Sequence, residues 1–180
     1  FKTTETLFDY ISDLLSAKDG NKTKEAGNLF EEFTQAWHRE YSDYIDVYDA
    51  NKLDTIPGWV IDKIDGWELL SKGANSTGID KIAITRFHEI DVHQDKSSLH
   101  TDKNLSIQKC SLMMSLRNNG LKNIRHYILN TTAEDLSHYS SIWKEQKPLV
   151  YSYSDFCPDQ FNTDAVLNDA QFWNNIRDKK

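Results

Sequence analysis

From Gly78 to Lys96 the chain reads Gly-Ile-Asp-Lys-Ile-Ala-Ile-Thr-Arg-Phe-His-Glu-Ile-Asp-Val-His-Gln-Asp-Lys, and no other stretch constrains the fold as much. Ile82 and Ile84 alternate in its first half, where Phe87 is a further candidate, and Ile90 and Val92 alternate in its second. That two-residue period predicts two short strands joined by a turn. Asp80 opens the first strand, while Gln94 and Lys96 lie two apart near the end of the second and so share a face. The hairpin therefore gathers one carboxylate, one amide and one ammonium. Such a set offers oxygen ligands to a hard cation and a positive charge to a substrate that becomes more negative.

The rest of the chain supplies layers for this hairpin to join. Its 180 residues, 38% hydrophobic, suffice for one buried core and are too few for two independent domains. Leu7, Tyr10, Ile11, Leu14 and Leu15 form a helical stripe over Thr4–Ala17, ended by Asp19-Gly20-Asn21. A second helix is predicted from about Lys24 to Tyr44, with Phe30, Phe33, Trp37, Tyr41 and Tyr44 along one side. Glu31 and Glu32 flank that stripe, and periodicity does not choose between them. Asp49–Gly58 reads as a loop and Trp67–Leu70 as a strand. Gly73–Gly78 reads as a loop of small residues that lets backbone approach a ligand. A helix over Leu105–Asn118 and a strand over Ile124–Leu129 follow. Thr131 with Glu134 then forms a capping box for a helix to about Glu145, before a strand over Pro148–Tyr153. This strand-helix-strand run implies a parallel crossover. A last helix over Asp164–Arg177 carries Val166, Leu167, Ala170, Trp173 and Ile176 on one side. The fold class is α/β, a central mixed sheet flanked by helices.

Charge and cysteine content narrow the function. A net charge of −7 argues against sequence-blind clinging to nucleic acid. Yet residues 95–125 carry six Lys or Arg against two Asp, a basic segment in an otherwise acidic chain, compatible with phosphate binding through one surface. A solvated helix face explains that segment equally well. Cys110 and Cys157 form neither a disulfide framework nor a zinc pair and read as buried thiols in a reducing compartment. There is no apolar run long enough to span a bilayer, no basic-then-apolar leader, no Walker A loop and no Gly-x-Ser-x-Gly elbow. His88, His93 and His100 read as scattered surface histidines rather than a metal cluster. The first residue, Phe1, suggests a processed protein or a piece of a larger one.

Gly78-Ile79-Asp80 followed by Val92-His93-Gln94-Asp95-Lys96 resembles the PD-(D/E)xK nuclease signature, in the variant with Gln for the second acidic residue found in the Mrr-like restriction-endonuclease branch. Upstream, Gly27-Asn28-Leu29-Phe30-Glu31 is similar to that family's Gly-x-x-Phe-Glu helix. Downstream, Leu129-Asn130-Thr131 resembles its strand ending in small polar residues. The resemblance covers a core of about 24–153, with a helical extension at 1–20 and a terminal helix at 160–178. It implies a restriction-endonuclease-like core and a metal-dependent endonuclease that hydrolyses DNA. Mg²⁺ would be the cofactor, with Mn²⁺ able to substitute. Asp80 would bind the metal, Gln94 would be a second ligand or orient water, and Glu31 would hold a metal-bound water. Lys96 would stabilise the transition state, and Lys103, Lys109, Ser97 and Ser98 would contact the DNA. The resemblance further implies a cytoplasmic bacterial, phage or plasmid protein with additional helicase-type domains, and a homodimer where both strands are cut. The alternative is a catalytically inactive module of the same fold, kept for DNA binding or protein interaction. At Asp91, His93 and Asp95 the strand is more polar than the family pattern, and Asp91 and Asp95 would face away from the site.

Overall fold

The helical stripes and strand alternation settle into a five-stranded mixed sheet with helices on both faces. The computed structural model describes residues 1–72, 77–99, 110–134 and 148–178. In chain order the elements are α1 (Thr4–Ser16), α2 (Gly20–Tyr41), β1 (Tyr44–Asp49), α3 (Gly58–Ile61) and α4 (Trp67–Leu70). Then come β2 (Lys81–Thr85), β3 (Ile90–Lys96), α5 (Ser111–Asn118), β4 (Ile124–Thr131), β5 (Leu149–Tyr151), α6 (Tyr153–Phe156) and α7 (Thr163–Asp178). The strands lie in sequence order. β1, β2 and β3 form an antiparallel meander, whereas β3, β4 and β5 run parallel. β3 is thus the seam between two kinds of pairing, and a bulge between Tyr44 and Asp46 disturbs the edge strand β1.

The two faces of the sheet differ in chemistry. Ile82, Ile84, Ile90, Val92, Tyr127 and Leu129 alternate onto one face and pack with Val60, Leu70, Met113 and Met114 from α3, α4 and α5. α2 crosses the other face, where Gln35 Nε2 donates to the Val47 carbonyl at 3.0 Å. Beyond α2 lies an aromatic cluster of Phe8, Phe30, Phe33, Phe156, Phe172 and Trp173. Thr3 caps α1 through a capping box and Asp19 caps α2. The ends of the chain are tied together where Asp169 Oδ2 accepts the Thr4 N–H at 2.9 Å and Trp173 Nε1 donates to Thr4 Oγ1 at 3.1 Å. Among the described residues no helix is long and apolar enough to cross a membrane. Both cysteines are buried thiols, and burial pushes Cys110 up to about 12.

Several expectations need correction. Trp67–Leu70 is a helical turn, since Gly66 enters it in the left-handed conformation at φ +85° and its side chains serve the core next to α3. The second helix stops at Tyr41, and Tyr44 opens a strand that helical periodicity concealed. Phe87 is 73% exposed at the turn between β2 and β3 and takes no part in the strand alternation. Thr131 ends β4 rather than capping a helix, and Tyr153 begins α6 rather than continuing β5. The expected helix beyond Glu134 and the start of the one from Leu105 lie outside the described residues. The parallel pairing of β4 with β5 is as the crossover required.

Phe8 is fully buried and meets Phe30, Phe33, Tyr153 and Phe156 with ring centroids 5.4–6.0 Å apart. Phe8→Ala should cost about 3–5 kcal/mol, read from the shift of the urea midpoint. A loss below about 1 kcal/mol would show that α1 is not part of the cooperative core.

Candidate functional site

Asp80 reaches the sheet through a left-handed backbone that glycine adopts most readily. Gly78 has φ +70°, and a Cβ there would stand 3.4 Å from Leu112 Cβ and Met113 N and 3.5 Å from Gln94 Nε2. The chain thus passes between α5 and Gln94 before β2 begins. Asp80 N–H donates to the His93 carbonyl at 2.8 Å, and Asp80 Oδ2 accepts the Asp95 N–H at 2.7 Å. Its carboxylate therefore lies against the peptide joining Gln94 to Asp95. Gln94 is buried at 6% exposure, and Lys96 follows it on the same face of β3. The Lys96 charge acts on both Asp80 and Cys110, which places it at the α5 side of the sheet with them.

Acidic groups from two further elements approach Asp80. Glu31 of α2 is half-buried and Glu32 exposed, and it is Glu31 that feels the Asp80 charge. Burial, and then the Asp80 charge, raise the Glu31 carboxyl, while Lys81 opposes them. Burial pushes Asp80 up to about 6 against the pull of Lys81 and Lys96, and Asp49 adds to the rise. Asp49 ends β1 directly opposite Lys81 in the register. Neither Asp49 nor Lys81 stands out in the sequence as a site residue. The signal for Asp49 was the run Tyr44-Ile45-Asp46-Val47-Tyr48, whose β-branched and aromatic residues favour a strand.

Ser97 is half-buried beside Lys96, and the Ser98 N–H donates to Oγ1 of Thr132, the residue after β4, at 2.7 Å. Lys103 and Lys109 lie outside the described residues. Arg125, counted in the basic segment, is spent on Asp91 and Asp43 at 2.7 and 3.1 Å.

The opposite face of the same strands is polar and closed. Lys81 forms an ion pair with Asp95 and donates to Thr34 Oγ1 at 2.6 Å. Asn130 Nδ2 donates to Asp95 Oδ1 and to His93 Nδ1, both at 2.9 Å, and Asn130 Oδ1 accepts from His38 Nε2 at 2.8 Å. His93 must then carry its proton on Nε2, toward Tyr44 OH at 2.9 Å, and Tyr44 donates to Asp91 Oδ2 at 2.6 Å. With Nδ1 accepting and Nε2 donating, His93 is neutral in this pattern, and burial disfavours the charged form of His38 beside it. Accordingly, burial lowers His38 to about 4 and His93 well below its ordinary value. His93 is thus buried, correcting its reading as a surface histidine; His88 is exposed, and His100 lies outside the described residues. Asp91 and Asp95 do face away from Asp80, Gln94 and Lys96, and this network is what they serve.

Among the described residues no group of three or more His, Cys, Asp or Glu stands close enough to hold a metal ion. The oxygen donors near Asp80 nevertheless suit a hard divalent cation in kind, because its carboxyl is held up at about 6 by burial and by Asp49, and a cation would reverse both effects. Comparison with protein-family models, with curated proteins and with solved structures finds no match to this chain.

The raised Asp80 carboxyl penalises the folded, metal-free protein at neutral pH. Its favourable contribution is complete below about 3.8 and is lost as pH rises through about 6. His38 and His93 act in the opposite sense, since their depressed values withdraw stability as pH falls below about 6.5. Asp80→Asn should therefore be more stable than wild type by about 1–2 kcal/mol at pH 7, with the two converging near pH 4. Urea unfolding in EDTA across that range checks this. A destabilised Asn variant at pH 7 would show that the Asp80 charge is compensated in the fold.

Proposed function

We propose that this chain is a divalent-metal-dependent endonuclease domain that hydrolyses DNA phosphodiester bonds. The observation supporting this reading is the bond from Asp95 N–H to Asp80 Oδ2, which sets one carboxylate beside Gln94 and Lys96 at the end of β3. Mg²⁺, or Mn²⁺ in its place, would be held by Asp80 and Gln94, with Glu31 holding one of its waters from the α2 side. When bound, such a cation lowers the pKa of its water and neutralises the scissile phosphate. Asp80 supplies the anionic ligand from a buried position. Gln94 would supply a neutral oxygen, so the site would be weaker than one with two strand carboxylates and would need substrate phosphate oxygens to fill it. Lys96 offsets negative charge as it grows on the phosphate in the transition state. Ser97, Ser98, Lys103 and Lys109 follow Lys96 in the chain and would contact the DNA.

A competing reading is a non-catalytic DNA-binding or protein-interaction module of the same fold, and the neutral amide of Gln94 and the acidic net charge of −7 favour it. Cleavage of supercoiled plasmid and linear duplex with Mg²⁺, Mn²⁺ or EDTA separates the two. Metal-dependent cutting should fall by about 10²–10³ in Lys96→Ala. Cutting that survives the substitution would mean that Lys96 is misassigned. Duplex binding without cutting in either protein would favour the non-catalytic module.

A further inference from the structure

Three buried groups on the far face of the sheet meet at one point. Thr34 Oγ1 accepts from Lys81 Nζ at 2.6 Å and stands 3.1 Å from two acceptors, Asp95 Oδ2 and the Glu31 carbonyl. Lys81 is ion-paired to Asp95, closing a triangle whose side chains are almost wholly withdrawn from water. Asn130 Nδ2 holds the other Asp95 oxygen at 2.9 Å.

The positions of these groups in the chain give the triangle its meaning. Lys81 is the residue after Asp80. Asp95 lies between Gln94 and Lys96, and its own N–H holds Asp80 Oδ2 at 2.7 Å. Thr34 is one helical turn beyond Glu31 and is the point at which α2 joins the triangle. Each residue proposed to act on the phosphodiester is thus a chain neighbour, or one turn, from a corner of the triangle. Strand alternation sends the corners to one face and Asp80, Gln94 and Lys96 to the other.

We propose that Thr34, Lys81 and Asp95 are positioning residues, a buried triangle that fixes Glu31 relative to Asp80, Gln94 and Lys96 from the opposite side of the sheet. This inference rests on the endonuclease reading. None of the three touches substrate. Their effect is to hold α2 against β2 and β3 so that a helix carboxylate and a strand carboxylate keep one separation.

Thr34→Val tests it, because the substitution keeps the shape, leaves Lys81 paired with Asp95 and removes only the link to α2. Three quantities are read: Mn²⁺ binding by calorimetry without DNA, plasmid cleavage resolved into kcat and KM, and thermal unfolding. Mn²⁺ binding and kcat should each fall by about 10-fold, as for other residues that orient metal ligands, with KM for DNA unchanged. Thr34→Ser, which retains the hydroxyl, should restore both. If Thr34→Val does not fold, Thr34→Ala removes the same bond and is read in its place. If wild type binds Mn²⁺ and cleaves, and the variant matches it in both, the triangle has no positioning role. Activity lost only in proportion to the unfolded fraction, with Mn²⁺ affinity intact, overturns the inference equally. Wild type that neither binds Mn²⁺ nor cleaves removes the endonuclease reading itself, and the inference with it.

Discussion

The ion pair between Lys81 and Asp95 governs how the helical layer meets the sheet. Their side chains are only 4% and 1% exposed. Taking two such charges from water costs several kcal/mol each, and their attraction repays this only with good geometry and further hydrogen bonds. Thr34 and Asn130 supply those bonds. A slide of α2 by one residue would take the Thr34 hydroxyl away from Lys81 and Asp95 and leave this buried pair short of a hydrogen bond, a penalty that an apolar contact of the same size would not impose. Polar groups beneath α2 therefore fix its register, while the aromatic cluster on its other side supplies the bulk of the burial.

Much of this organisation was legible from periodicity. The β2–β3 hairpin, the positions of α1 and α7, and the parallel pairing of β4 with β5 follow from apolar spacing and turn residues, because each of those segments buries one face. The placement of Asp80 against β3, and of Asp91 and Asp95 on the opposite face from Gln94 and Lys96, follows from strand alternation. Where the reading failed, competing physics was at work. Tyr44 continues the helical aromatic stripe of α2, yet the chain turns at Ser42 and Tyr44 reaches Asp91 and His93 from a strand instead. Trp67–Leu70 has the composition of a strand, but the left-handed Gly66 sets up a helical turn. His93 looked like a surface residue because a polar residue on a strand is read as solvated. Nothing local announces that Asn130, 37 positions away, will receive it.

The electrostatics of the two faces pull in opposite directions. Under α2 every charge has a partner and both histidines stay neutral, so polar groups there are compatible with a stable interior. Around Asp80 burial and the neighbouring Asp49 disfavour the carboxylate, and Lys81 and Lys96 only partly compensate. A fold optimised for stability alone would place a neutral residue at position 80. The carboxylate kept there accepts the Asp95 N–H, and its cost is in keeping with the cation site proposed above.

The sheet margins carry a consequence for assembly. At one margin β1 is broken by its bulge between Tyr44 and Asp46, and Arg39 ties down Asp46 at 3.1 Å. At the other, β5 spans only Leu149–Tyr151. A short or bulged and charged edge is a poor template for another strand. Among the described residues neither margin offers a long, regular edge for extending the sheet. A contact made through helices or loops would leave each sheet a closed unit.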